Sequence, residues 1–417
     1  MLINSINHFK NANNFSYNAK KCTDFRAFEN RDINLNYSPN VINNIAFRAN
    51  YTVSVLSKQE RARGCLFGGA IGDALGRLAE FRTLNEIKMK FGENGIHYIP
   101  KVDGMYLITD DTQMTLFTAD GLLKSYLKCA DIEKEPNYTD IYNSYLNWYK
   151  TQTVKYDDMR SKRGLLANEG LYSRRGPGNT CLQSLKTGKP GNLENVINSS
   201  AGNGGIMRVA PIALMYNDNP ELAFKVAVNC TALTHGSPEA YLPAGFFCSL
   251  ITNILNNKTL ECSIEDSIEI LKKYKGHEKT LSTIRKAMSL AISDLTPENA
   301  ISQIGSGKVG DEALGIAMYC VLKNPNNYRK AIISAVNHDG DSDTTAAIAG
   351  NIAGALYGIN SIPKPWKENI EFSKLLSFYS DHLIIDSKHN EALRQALISN
   401  NIQELRSMDE FSSISDI

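Results

Sequence analysis

Two short acidic clusters, Thr109-Asp110-Asp111-Thr112 and Asp339-Gly340-Asp341-Ser342-Asp343-Thr344, lie roughly 230 residues apart, and each runs straight into a helix-like segment. Two ionised carboxylates held about 4 Å apart repel by something like 4 kcal/mol at an effective dielectric near 20, so several converging carboxylates require a cation. The neighbouring hydroxyls are further oxygen donors, and neither cluster contains a cysteine. Hard oxygen donors select magnesium, calcium or manganese over zinc. Either cluster alone would serve as a helix cap, since Asp and Thr accept the orphan amide hydrogen bonds of a helix start. Together, and seen with two glycine patterns elsewhere in the chain, they read as one divalent-metal site.

Such a site needs elements that bring distant segments together. Ser57-Lys58-Gln59-Glu60 has the S-x-x-E form of a capping box and predicts a helix start. Glycines then recur at 64, 68, 72 and 76, along one helix face, and a second stripe runs through Ala346, Gly350, Gly354 and Gly358. Each interior glycine costs roughly 0.5 to 1 kcal/mol relative to alanine, so close backbone packing must return that stability, and both helices are expected to be central. Segments of helical period cover Met114 to Leu127, Ile141 to Tyr149, Leu222 to Ala232, Tyr241 to Asn256, Ile264 to Tyr274, Thr280 to Ile292 and Ala313 to Leu322. Strand-like alternation is scarce, with Ile96 to Ile99 the best case. The expected fold class is all-α.

No linker divides residues 57 to 395, which read as one domain. Residues 1–56 form an asparagine-rich N-terminal extension: the first fifty hold thirteen asparagines and six Lys or Arg against three acidic residues, without sustained periodicity. Such a stretch is expected not to fold alone and to serve as a flexible or partner-contacting arm. Residues 396–417 are expected to form an acidic, serine-rich tail. A formal net charge of +1 over 417 residues lacks the footprint of a nucleic-acid or membrane-surface binder. The most apolar later stretch, around Ile348 to Tyr357, is too short to span a bilayer, and no signal-peptide segment opens the chain. Eight cysteines without a C-x-x-C pair fit free thiols in a reducing compartment, so a cytoplasmic location is expected.

Five ordered blocks carry a resemblance to a known family. They are Gly64-Cys65-Leu66-Phe67-Gly68-Gly69-Ala70-Ile71-Gly72-Asp73-Ala74-Leu75-Gly76 with Glu80-Phe81; Thr109-Asp110-Asp111-Thr112 with Met114; Gly202-Asn203-Gly204-Gly205-Ile206-Met207-Arg208 with Pro211-Ile212; Thr234-His235-Gly236-Ser237-Pro238-Glu239-Ala240; and Gly340-Asp341-Ser342-Asp343-Thr344 with the second glycine stripe. In this order they resemble the ADP-ribosylglycohydrolases, which include the dinitrogenase reductase-activating glycohydrolase.

The resemblance implies a compact all-α domain with a cleft holding two divalent cations, Mg2+ or Mn2+, on Thr109, Asp110, Asp111, Asp341, Asp343 and Thr344. It implies an ADP-ribosylated protein as substrate, with Gly202, Asn203, Gly204 and Gly205 cradling the phosphates, where small residues let backbone amides approach an anion. It places Met207 among the substrate-binding residues of the same segment and His235 at the phosphates or proximal ribose. For Arg208, ligand contact and a buried ion pair both remain open. Gly176-Pro177-Gly178-Asn179-Thr180 lies where members often carry a glycine-rich substrate loop. Cleaving the glycosidic bond develops positive charge on the ribose ring and needs a positioned water and a carboxylate base. Glu80, Asp111 and Asp343 are the candidates, unranked. The blocks look most like those of bacterial arginine-type members, which implies hydrolysis of the arginine N-glycosidic bond. Some bacterial members carry an N-terminal extension that plugs an ADP-ribosyltransferase toxin, so immunity by direct binding, with or without hydrolysis, is the alternative. A catalytically silent relative would be expected to lack metal ligands, and all six are present.

Overall fold

The computed structural model describes residues 56–129 and 131–385. The expectations for the N-terminal arm (to residue 55) and for the C-terminal tail lie outside the described residues. Among the described residues there are sixteen α-helices and no strand, only isolated bridges. In chain order they are α1 (Lys58–Gly76), α2 (Leu84–Phe91), α3 (Asp110–Cys129), α4 (Tyr138–Thr153), α5 (Asn179–Lys186), α6 (Ala210–Met215), α7 (Pro220–Ala232), α8 (Pro238–Leu255), α9 (Leu260–Leu271), α10 (Glu278–Ala291), α11 (Pro297–Ile304), α12 (Gly310–Lys323), α13 (Tyr328–Val336), α14 (Ser342–Tyr357), α15 (Lys364–Asn369) and α16 (Ser373–His382). The fold is all-α, and each long segment of helical period is a helix.

The two glycine stripes pack against each other. A Cβ built on Gly64, Gly68 or Gly72 would overlap the carbonyl oxygen of Gly354, Gly350 or Ala346 respectively, and one on Gly76 would overlap the backbone of Ser342 and Asp343. Residue numbers rise along one helix as they fall along the other, so α1 and α14 are antiparallel. The fit is reciprocal, because a Cβ on Gly350 or Gly354 would strike the carbonyl of Gly68 or Gly64. Backbones this close gain dispersion and Cα–H···O contacts that side chains would forbid. One polar group ties the pair, Asn351 Nδ2 donating to Cys65 O at 2.8 Å, and Tyr328 Oη, from α13, donates to Gly68 O of α1 at 2.9 Å. The capping box is realised, with Ser57 and Glu60 each accepting the other's backbone N–H.

The functional consequence lies at one end of this pair. The C-terminus of α1, leading to Glu80, meets the N-terminus of α14, which carries Asp343 and Thr344. α3 brings Asp110 and Asp111 to the same end. Around this centre pack α8 with α7, α3 with α4 and α10 with α12, enclosing a continuous apolar core.

The Ile96–Ile99 segment is irregular rather than a strand. Asn337 takes the place of a partner strand: its side chain accepts from Ile96 N at 2.7 Å and donates to Ile96 O at 2.9 Å. The seven described cysteines are free thiols. No described helix is long and apolar enough to cross a membrane.

Candidate active site

The N-terminus of α3 is set by a residue from α1. Asp73, fully buried, accepts from the backbone N–H of Thr109 at 3.0 Å and of Thr112 at 3.1 Å, and from the Thr112 hydroxyl. It thereby supplies the capping that an N-cap side chain ordinarily gives. The Thr109 hydroxyl donates to Asp111 Oδ2 at 3.2 Å. From the second cluster, Thr344 Oγ1 donates to Asp111 Oδ1 at 3.0 Å. That bond spans 233 residues of sequence and joins the two clusters directly.

Oxygens of Asp73, Asp111 and Asp343 all lie within 4.8 Å of one another, and all three residues are buried. Asp110 is buried as well and receives Gly178 N–H on Oδ2 at 3.1 Å; Asp341 receives Asn203 Nδ2 on Oδ2 at 2.9 Å. Thr109, Asp110, Asp111, Asp341, Asp343 and Thr344 are therefore all buried in one neighbourhood. Asp339 stands apart: exposed, it accepts Leu84 N–H at the start of α2.

Burial pushes the Asp110, Asp111 and Asp343 carboxyls well above the ordinary range, and their acidic neighbours push them further, Asp73 acting on Asp110 and Asp111, and Asp341 on Asp343. Asp73 is also raised by burial, against hydrogen bonds from Thr112 and Thr109 that lower it. Glu80 is half-buried and raised to about 7, first by burial and then by Asp341 and Asp73. Five buried carboxylates with threonine hydroxyls beside them fit a divalent cation of the hard class.

The Gly202–Gly205 loop closes against this cluster. Asn203 Nδ2 donates to both Asp341 and Gly307 O, and Asn203 N–H donates to Lys308 O at 3.2 Å. A Cβ on Gly204 would stand about 3 Å from His235 and Cys181, so the loop lies directly on the imidazole. His235 Nδ1 pairs with Thr234 Oγ1 at 2.8 Å. Burial, then the Arg208 charge, lower its pKa to about 3, so the ring is neutral at physiological pH.

Met207 and Arg208 are buried beneath the loop. For Arg208 the structure bears only on the ion-pair expectation, and it shows no such pair among the described residues. Its guanidinium is fully buried, stacks on Tyr145 with 4.2 Å to the ring centroid, and donates to Thr234 Oγ1 at 2.6 Å, with no carboxylate partner among the described residues. The Gly176–Thr180 loop lies across the other side, with Gly176 facing Glu80 and Asp110.

A family model described as ADP-ribosylglycohydrolase matches residues 54–393. The chain belongs to the ADP-ribosylglycohydrolase family. It is an enzyme, a hydrolase of the glycosidase class. Its relatives include an ADP-ribosylarginine hydrolase, Tri1, of Serratia proteamaculans, 27% identical over 78% of this chain and 79% of that protein. The ADP-ribosylhydrolase ARH3 of Homo sapiens is 25% identical over 75% of this chain and 89% of its own length. The ADP-ribosyl-[dinitrogen reductase] glycohydrolase of Rhodospirillum rubrum is 24% identical over 76% and 92%.

Within this glycohydrolase domain, sequence reasoning missed Asp73 as a site residue. It was visible in the Gly72-Asp73-Ala74 block, but its partners Thr109 and Thr112 lie 36 and 39 residues away, beyond any local pattern.

The crowding has a measurable consequence. Glu80 holds its proton more tightly in the folded chain, near 7, than at its ordinary value of 4.5. Its contribution to stability is thus present below about pH 4.5 and lost as pH rises through about 7, and the raised aspartates act with the same sign. Melting in the presence of a chelator should therefore fall from pH 4.5 to 8, and millimolar Mg2+ or Mn2+ should flatten the decline by binding only the folded site. A chelated protein whose melting temperature holds level or rises over that range would contradict a converging carboxylate cluster.

Proposed function

We propose that this chain is a divalent-metal-dependent ADP-ribosylhydrolase that releases ADP-ribose from modified protein side chains, arginine being the favoured linkage. The observation that carries the reading is the Thr344–Asp111 bond, which makes one buried oxygen-donor centre of the two acidic clusters. Asp111 and Asp343, with Asp110, Asp341, Thr109 and Thr344, would hold two cations, Mg2+ or Mn2+. When bound, these would fix the ribose hydroxyls and polarise a water.

The rest falls to the chain's own residues. Asp111 is occupied by two threonine hydroxyls, and Asp343 Oδ1 by Thr344 N–H at 3.0 Å. The Glu80 carboxylate has no hydrogen-bond partner among the described residues and takes up a proton near neutrality, which favours it as the base that accepts a proton from the attacking water. The Gly202–Gly205 backbone would carry the diphosphate, and the neutral His235 would offer one directional hydrogen bond rather than a charge. The fully buried Arg208 and Met207 would support that loop from behind.

Arginine is favoured by the similarity to an ADP-ribosylarginine hydrolase. Purified protein should release ADP-ribose from arginine-linked substrate at least about tenfold faster than from serine-linked substrate, a preference worth about 1.4 kcal/mol. Activity should vanish on chelation and return with Mg2+ or Mn2+. Full activity after exhaustive chelation would refute the metal requirement, and faster release from serine would refute the linkage.

The family match begins at residue 54, which supports reading the preceding segment as a partner-contacting arm, with a toxin-type ADP-ribosyltransferase as the fitting partner. In the same assay a chain lacking residues 1–53 should hydrolyse at the full rate; loss of turnover would assign that segment to the catalytic domain.

A further inference from the structure

We propose that Arg175 and Glu371, outside all five motif blocks, are positioning residues that hold Asp110 in its metal-binding orientation. The inference rests on the metal reading above. The guanidinium meets the carboxylate in a fork, Nη1 to Oε2 at 2.5 Å and Nη2 to Oε1 at 3.1 Å, and the two side chains are only 17% and 7% exposed. Both also grip the backbone two residues before Asp110: Arg175 Nη1 donates to Ile108 O at 2.9 Å, and Ile108 N–H donates to Glu371 Oε2 at 3.2 Å.

The backbone of the same loop then takes hold of Asp110 itself. Arg175 O accepts Asp110 N–H at 3.1 Å, and Gly178 N–H donates to Asp110 Oδ2 at 3.1 Å. Glu371 is fixed in turn, its N–H donating to Tyr106 O at 3.1 Å, while Tyr106 N–H donates to Asn369 O at 2.7 Å. Asp110 is thus held at its amide and at one carboxylate oxygen by a loop whose root is pinned by a buried ion pair. Burying such a pair gives little net stability, whereas its forked geometry fixes orientation, and residues that orient a ligand carboxylate govern metal affinity.

The test is Mn2+ binding to the full-length chain, read by the electron paramagnetic resonance signal of free Mn2+ and independent of turnover. Arg175→Lys keeps the charge but loses the fork, and the double variant Arg175→Met/Glu371→Met removes both charges so that neither is left buried alone. Each should fold, as judged by circular dichroism, and bind Mn2+ about tenfold more weakly than the wild type. Lys128→Met, which breaks the Lys128–Asp140 ion pair elsewhere, should leave Mn2+ affinity unchanged. Wild-type affinity in folded Arg175→Lys, or an equal loss in Lys128→Met, would overturn the positioning role. A wild-type chain that binds no Mn2+ would instead overturn the metal reading, and this inference with it.

Discussion

Asp111→Asn should lower the rate of ADP-ribose release by about a thousandfold, within the range seen when a positioned catalytic charge is removed, while leaving the helical circular dichroism signal intact. Asp111 is the residue on which the two clusters meet, accepting from Thr109 on one oxygen and from Thr344 on the other. The same substitution removes one of several mutually repelling buried carboxylates, so the melting temperature of the chelated protein should rise even as activity falls. Opposed movements of activity and stability are the signature of a site built for a cation rather than for the fold. Asp339→Asn is the matched control: it belongs to the second cluster in sequence, yet its carboxylate caps α2, so activity should stay within about threefold of wild type. An Asp111→Asn protein retaining half its activity would refute the assignment.

Gly72→Val should destabilise the domain by more than about 3 kcal/mol, lowering its melting temperature by at least about 4 °C. A side chain there has no rotamer that avoids the Ala346 carbonyl, because the clash begins at Cβ. Either the backbones of α1 and α14 separate or the chain does not fold. Protein that does fold should also bind Mn2+ more weakly, since separation moves Gly76 and Glu80 away from Asp343. Urea unfolding and Mn2+ titration report the two effects, and a near-wild-type midpoint would show that the helices are not in backbone contact.

The long helices were legible because several turns of 3.6-residue period separate apolar from polar faces. Helices such as α6 and α15, six residues each, complete fewer than two turns and leave no period to read. α2 is also short, but it did carry a local signal: the T-x-x-E spacing of Thr83 and Glu86, which the structure realises as a capping box. The glycine stripes announced close packing, but which backbone would approach which was not written in either stripe. Arg208 shows the limit from the other side. Its sequence block marked it as a site residue, yet its partners, the Tyr145 ring and the Thr234 hydroxyl, come from other elements that only the tertiary fold brings to it.

The antiparallel union of α1 with α14 also sets the order of events during synthesis. About 290 residues separate Gly64 from its contact in α14, so at translation rates of roughly 5 to 20 residues per second α1 leaves the ribosome some 15 to 60 seconds before the surface it fits has been made. A helix weakened by five glycines has little to sustain it in that interval. The end that carries the acidic residues is completed only when the chain's far half returns onto its near one. Contacts so distant in sequence slow folding and leave the face of α1 uncovered until they form.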